Sequence, residues 1–267
     1  MNPEWRSRYE AAIDVARQAG QLALRYFDAA VNVEWKSDQS PITVADREGE
    51  QLLRSTLLGK FPGDGFLGEE SGYVNGTTGF RWIIDPVDGT RNFVRGVPIW
   101  AVLVGLEYKD EQIAGVIEVP ALNQTFRALR GDGAYRGDRR ISVSQRATLD
   151  DSLMFYSSLS WFSKAGHEDT FVELVRRTSQ QRGFGDFYGH LLVAQGSGEF
   201  MVEYGVHSWD VAAVKALVEE AGGRFSNWCG DTSIHEPDVL LSNGLVHDQV
   251  LAILQRKASP HRQVGEK

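Results

Sequence analysis

Trp82-Ile83-Ile84-Asp85-Pro86-Val87-Asp88-Gly89-Thr90 is an apolar strand pattern that runs without a break into a turn carrying two carboxylates. A strand end is a rigid mount. Pro86 fixes the backbone after Asp85 and Gly89 permits a conformation other residues avoid, so both acids can point to one side of the turn. The same residues also suit a plain capped turn, because Asp-Pro and Asp-Gly are common turn dipeptides and Asp88 can cap a helix beginning at Gly89. Three further acidic features surround this one. Leu67-Gly68-Glu69-Glu70-Ser71-Gly72 sets adjacent acids between glycines, a pattern usually found in solvent. Ser208-Trp209-Asp210 opens one helical run and Thr43-x-x-Asp46 opens another, and both Asp210 and Thr43 suit the role of an N-cap. No one of them decides the chemistry. Their combination does more, since it places acids at a strand end, at helix starts and in Gly-rich bends.

Rival chemistries leave no trace. The chain holds no G-x-S-x-G elbow, no P-loop and no H-E-x-x-H. Its six histidines, His167, His190, His207, His235, His247 and His261, are scattered without metal-ligand spacing and read as surface or packing residues. The single Cys229 excludes an intrachain disulfide framework and a thiolate zinc site, and fits a reducing compartment. An oxygen-only donor set suits Mg²⁺ or Mn²⁺, and bound cations make clustered carboxylates tolerable. With 36 acidic and 28 basic residues the net charge is −8, and no Lys/Arg run is present, which argues against a nucleic-acid or anionic-membrane partner. The first 30 residues show no signal-peptide core, and the most apolar run, residues 97–106, falls short of the roughly 20 needed to cross a bilayer. The cytoplasm is the expected location.

The length of 267 residues, 42% of them hydrophobic, suits one large domain or two intimately packed ones. Periodicity predicts a helix over 5–30, a loop over 37–41, and a second helix from Thr43 to about Gly59. Residues 65–72 read as a short Gly-bounded segment, and 73–79 as a polar, Gly-rich loop that is mobile and closes over the neighbouring acids. Strands are expected at 80–85, 99–106, 113–119, 124–129 and 134–135, as an antiparallel meander with a turn at 108–111. Beyond 146 the pattern changes to helices at 169–178, 189–196, 211–221 and 247–255, alternating with short strands at 200–203, 223–225 and 239–242. The division is therefore 1–145, two helices with an antiparallel sheet, and 146–267, an α/β part, tightly packed with the active site between them; the tail from Lys257 reads as frayed.

Leu67-Gly-Glu69-Glu70-Ser71, Trp82-Ile-Ile-Asp85-Pro-Val-Asp88-Gly-Thr90-x-Asn92-Phe93 and Trp209-Asp210-Val-Ala-Ala213 with Glu220-Ala-Gly-Gly223 resemble, in order, the signature motifs of the inositol monophosphatase family over residues 10–255. The resemblance implies an α+β, or α/β, layered αβαβα sandwich of the inositol monophosphatase/fructose-bisphosphatase type. It implies a Mg²⁺-dependent, lithium-sensitive phosphomonoesterase, with Mn²⁺ able to substitute, that forms a homodimer. Carried over by position, Glu69, Asp85 and the Val87 carbonyl would bind one metal and Asp85, Asp88 and Asp210 a second, with Asp46 helping to hold a third. Thr90, backed by Thr43 and Asp46 or Glu69, would orient the attacking water, and Gly89 and Thr90 would offer N–H groups to the phosphate. Asp88 and Asp210 would also border the substrate.

Within that family, Thr90-Arg91-Asn92-Phe93-Val94-Arg95-Gly96-Val97-Pro98-Ile99-Trp100 and Gly185-Asp186-Phe187 resemble the bacterial histidinol-phosphatase branch, with Arg91, Asn92, Asp186 and Glu203 near the substrate. Physical chemistry points the same way. Histidinol phosphate carries an ammonium and a protonatable imidazole, which call for carboxylates and aromatic faces, such as Asp186, Phe187, Tyr188 and Glu203. The expected reaction is hydrolysis of L-histidinol phosphate by a metal-activated water, a late step of histidine biosynthesis. Other outcomes remain open: an inositol 1-phosphate, sugar or nucleotide phosphate ester on the same scaffold, a phosphoaspartate mechanism, or a non-catalytic phosphate-binding regulator.

Overall fold

The computed structural model describes residues 2–27, 33–35 and 41–256. Among them α1 (Pro3–Phe27), a short ribbon of β1 (Glu34–Trp35) and β2 (Pro41–Ile42), and α2 (Val44–Lys60) precede a run of strands. These are β3 (Gly65–Gly68), β4 (Gly72–Val74), β5 (Phe80–Asp88), then the single turn of helix α3 (Thr90–Phe93), β6 (Ala101–Tyr108), β7 (Glu111–Val119), β8 (Gln124–Leu129), β9 (Gly133–Arg136) and β10 (Arg139–Ile141). There follow β11 (Leu153–Tyr156), α4 (Leu159–Lys164), α5 (Glu168–Arg177), β12 (Gln180–Arg182), α6 (Asp186–Ala194), β13 (Phe200–Tyr204), α7 (Ser208–Glu220), β14 (Arg224–Ser226), β15 (Asp238–Ser242) and α8 (His247–Leu254).

Two mixed sheets organise the chain. The larger has the order β10-β9-β8-β7-β6-β5-β3-β4, with β3 parallel to β5, and the smaller has the order β12-β11-β13-β15-β14, with β11 parallel to both neighbours. Strand alternation sorts the side chains. Trp82 and Ile84 pack under α1 and α2, while Ile83 enters a second core with α7 and with Val239 and Leu241 of the smaller sheet. Leu240 turns the other way, to α4, α5 and α8. The result is a helix-sheet-helix-sheet-helix stack, as expected from the resemblance.

Small residues set how closely the layers approach. On α1, Ala12, Val15, Ala16, Ala19 and Ala23 are buried at helical spacing, and the helix is started by Asn2, whose Oδ1 accepts the Glu4 N–H, with Pro3 in the first turn. Gly105 and Gly115 face each other across β6 and β7. A Cβ on Gly115 would stand 2.1 Å from Ala213 O, so α7 lies with its backbone directly on the sheet. That contact fixes the start of α7, and with it Asp210.

Several expectations need correction. The chain over 65–74 is not a mere Gly-bounded bend: it forms β3 and the edge strand β4. The segment expected to be a closing loop starts as β4 and is then tied down. Thr77 N–H donates to Gly63 O, Thr78 Oγ1 donates to Asp64, and Gly76 packs against the Gly65 backbone where no Cβ would fit. Of its two glycines, Gly76 reflects that close approach and Gly79 a φ of +81°, while residues 75–79 face solvent. Strand β11 was not expected, and α6 and α7 each begin about a turn before their apolar pattern does. Residues 28–30 of the first expected helix, 37–40 of the loop and the tail from 257 lie outside the described residues. No described helix is long and apolar enough to cross a membrane.

One buried histidine gives the fold a pH dependence. His247, at the start of α8, has Nε2 2.9 Å from Ser226 Oγ and Nδ1 2.8 Å from Ser242 Oγ. Ser226 donates its own proton to Asn227 O, so it accepts from His247, and the ring carries one proton, on Nε2. Burial holds its pKa down at about 4. Between that value and the ordinary 6.5 the unfolded chain binds more protons, so the stability contributed above pH 6.5 is lost as pH falls toward 4, up to roughly 3 kcal/mol. Urea unfolding of wild type and His247→Gln at pH 7 and 4.5 should show the wild type losing about 2 kcal/mol more on acidification. Parallel losses would mean that His247 does not contribute.

Candidate active site

Strand β5 brings its two acids together through an irregularity that a regular strand would not allow. Residues three apart normally face opposite sides, but Asp85 pairs with Leu103 and Asp88 with Ala101, so β5 carries one extra residue there. The bulge turns both carboxylates the same way. Val87 N–H donates to Asp85 Oδ1 at 2.9 Å, and Gly89 ends the turn at φ +85°, with Ile99 O 3.0 Å from where a Cβ would be. Asp210 arrives from the first turn of α7, where its Oδ2 accepts the His207 N–H at 2.7 Å. Carboxylate oxygens of Asp85, Asp88 and Asp210 lie within 4.8 Å of one another.

These groups line a cavity of about 260 Å³, together with Glu69, Val87, Gly89, Thr90 and Arg91 from the larger-sheet side and Ser157, Trp161, Asp186, His190, Glu203, Tyr204 and Trp209 from the other. A wider groove of about 780 Å³ between α1 and α2 holds a single carboxylate, Glu48, among its lining residues. Asp85, Asp88 and Asp210 converge in the smaller space.

The electrostatics are severe. Burial, and then Glu69, Asp88 and Asp210, push the Asp85 carboxyl well above the ordinary range. Burial, Asp186 and Asp210 do the same to Asp88, although its Oδ2 accepts the Phe187 N–H at 2.7 Å. Asp186 is pushed up to about 7, mainly by burial and then by Glu203 and Asp210, with Arg91 opposing. A site this rich in carboxylate oxygen fits a hard divalent cation, whose charge would offset the mutual repulsion.

Thr43 caps α2: its Oγ1 accepts the Ala45 N–H, while its own N–H and hydroxyl both donate to Asp46 Oδ2, at 2.7 and 2.6 Å. The other oxygen of Asp46 lies 3.4 Å from Thr90 Oγ1, which is also 3.0 Å from Val87 O. Capping therefore aims Asp46 at Thr90. Burial is the main cause of the raised Asp46 pKa. Glu69, directly after β3, is half-buried, and its N–H donates to Ile84 O. Thr43, Asp46 and Asn92 are not among the residues lining the cavity; Asn92 Nδ2 contacts Ile99 O at 3.0 Å and Asp186 Oδ2 at 3.2 Å.

Two expected aromatic contacts are corrected. Phe187 is 1% exposed in the central core, and Tyr188 packs beside it, because α6 begins at Asp186 and turns both rings inward. The cavity's aromatic faces are Trp161, Tyr204 and Trp209. Sequence reasoning passes over Ser157, Trp161 and Tyr204 and reads His190 as a surface or packing residue. They come from the residue after β11, from α4, α6 and β13, without a shared motif, and His190 sits inside the apolar run of a buried helix.

Comparison with known proteins agrees with this architecture. Residues 4–259 match the model of the inositol monophosphatase family. The chain is 40% identical over 249 residues to a histidinol-phosphatase of Mycobacterium tuberculosis, covering 91% of this chain and 96% of that one. A histidinol-phosphatase of Streptomyces coelicolor is 39% identical over 85% of this chain and 88% of its own. The crystal structure of the extragenic suppressor protein suhB from Bartonella henselae superposes with a TM-score of 0.87 at 29% identity, over 93% of this chain and 98% of that one. The chain belongs to the inositol monophosphatase family of metal-dependent phosphomonoesterases.

Proposed function

We propose that this protein hydrolyses L-histidinol phosphate to L-histidinol and phosphate, a late step of histidine biosynthesis. The observation that carries the reading is the second acidic wall: Asp186 and Glu203 line the same cavity as the Asp85, Asp88 and Asp210 cluster. One end of such a cavity suits a cation-bound phosphate, the other an ammonium or imidazolium. The names borne by the relatives in Mycobacterium tuberculosis and Streptomyces coelicolor support it.

Glu69, Asp85, the Val87 carbonyl, Asp88 and Asp210, with Asp46 behind them, would hold Mg²⁺, for which Mn²⁺ can substitute. When bound, such ions neutralise phosphate charge and acidify water. Thr90 Oγ1, backed by Asp46, orients the attacking water and relays its proton by passing its own to the Asp46 carboxylate, with Glu69 as a further acceptor. Attack on phosphorus forms one P–O bond as the ester P–O bond breaks, the departing histidinol oxygen takes a proton from solvent water, and the proton held by Asp46 returns to solvent. Gly89 and Thr90 present N–H groups to the phosphate, Arg91 adds positive charge beside it, and Asn92 steadies Asp186. On this reading the chain divides near residue 145 into two tightly packed parts and acts as a cytoplasmic homodimer.

Asp186→Asn tests the substrate. Asp186 has φ +55°, a conformation asparagine tolerates, so the backbone survives while the charge goes. Phosphate release with Mg²⁺ should show kcat/KM for histidinol phosphate falling roughly ten- to a hundredfold, a lost charged hydrogen bond of about 1.5 to 3 kcal/mol. Inositol 1-phosphate turnover should hardly change. Equal losses on both esters would make Asp186 structural, and wild-type preference for inositol 1-phosphate would overturn the substrate.

A further inference from the structure

His190 stands in the cavity wall on α6, one turn beyond Asp186, and nothing in the reaction above uses it. Its side chain is 2% exposed, and its Nε2 lies 3.2 Å from Glu203 Oε2. Its Nδ1 is buried without a hydrogen-bond partner among the described residues. Together these facts place the ring's proton. A buried N–H with no acceptor forfeits its bonds to water outright, and an imidazolium carries a proton on both nitrogens. A neutral ring protonated on Nε2 leaves only a lone pair at the orphaned position and places its one donor nitrogen 3.2 Å from Glu203 Oε2.

Main-chain packing holds the pair in register. A Cβ on Gly189 would stand 2.5 Å from Phe184 O and 2.6 Å from Met201 Sδ, so α6 lies close against β13, the strand that carries both Met201 and Glu203. His190 therefore has little freedom to leave Glu203. A glutamate lining a cavity samples several rotamers, and one fixed donor on Oε2 selects among them and leaves Oε1 for a ligand.

We propose that His190 is a positioning residue for substrate choice: by donating from Nε2 it holds the Glu203 carboxylate toward the cavity as the acceptor for the cationic end of the substrate. This rests on the reading that the substrate carries an ammonium or imidazolium. His190 does not touch the reacting phosphate. Its influence falls on recognition, and more on a cationic ester, whose hydrogen bond to the carboxylate is charge-assisted, than on a neutral one that offers only hydroxyls.

The test combines kinetics with a measurement on the unaltered protein. His190→Met fills the space with an adaptable apolar chain and removes the donor, and His190→Gln restores a donor at similar reach. With Mg²⁺ present, His190→Met should raise the ratio of KM for histidinol phosphate to KM for inositol 1-phosphate about tenfold, and kcat for either ester should shift far less. His190→Gln should return that ratio to within about threefold of wild type. A ratio unchanged in His190→Met, or kcat falling equally on both esters without rescue by glutamine, overturns the proposal. Nitrogen-15 NMR of the wild-type protein should find the His190 proton on Nε2; a proton on Nδ1 overturns it whether or not a variant folds. Wild-type enzyme that releases phosphate from inositol 1-phosphate and not from histidinol phosphate overturns the substrate reading and this inference together, whereas turnover of histidinol phosphate with an unmoved ratio overturns this inference alone.

Discussion

Asp88→Asn is expected to lower kcat/KM for phosphate release on the order of a thousandfold, about 4 kcal/mol of transition-state stabilisation, while leaving the fold intact. The two halves of this expectation have separate causes. Asp88 Oδ2 accepts the Phe187 N–H across the interface between β5 and α6, and the carbonyl of asparagine can accept the same bond. The structural tie survives. Charge does not: the cluster within 4.8 Å falls from three carboxylates to two, and the repulsion that makes a cation welcome falls with it. Steady-state phosphate release at saturating Mg²⁺, alongside thermal melting, checks both halves. Near-wild-type turnover would mean that Asp88 only closes a turn, and an unfolded variant would mean that its charge serves the fold.

What could be read from the sequence was local. The Trp82 to Thr90 stretch combines an apolar strand with proline and glycine at fixed offsets, so its turn and the neighbourhood of Asp85 and Asp88 were legible. That both acids face one way depends on the extra residue of β5 opposite β6, and a bulge is a property of pairing, invisible in one strand. Strand β3 failed for a related reason: four residues bounded by glycine carry no periodicity, and they become a strand only because β5 lies beside them. The glycine-rich 73–79 segment shows the ambiguity of that residue, which signals freedom in solvent and tight approach in a packed corner. Phe187 was read as facing a ligand because it follows Asp186, yet the start of α6 turns it into the core. His190 reads as a surface or packing residue because the six histidines show no metal-ligand spacing. Glu203 reaches it only through β13.

Strip divalent cations from the protein, and Asp85→Asn is expected to melt above the wild type by about 2 to 8 °C, the shift produced by roughly 1 to 2 kcal/mol in a chain of this size. The sign follows from the carboxyls of the cluster. Asp85 binds its proton more tightly in the folded protein than in the unfolded chain, because burial and the charges of Glu69, Asp88 and Asp210 oppose ionisation. The folded state therefore holds more protons above the ordinary carboxylate range, and metal-free stability falls as pH rises toward neutrality. Asparagine removes that penalty and keeps an acceptor for the Val87 N–H. Adding Mg²⁺ should reverse the order. A ligand at a hundred times its Kd contributes about 2.7 kcal/mol, which raises the wild-type melting temperature by about 5 to 10 °C, and the variant, having lost a charged donor, should gain far less. The crossing is the diagnostic, since a residue that merely packs would lower stability in both conditions. If Asp85→Asn melts below the wild type with and without cation, the carboxylate serves the turn of β5, and the cluster is not a cation site.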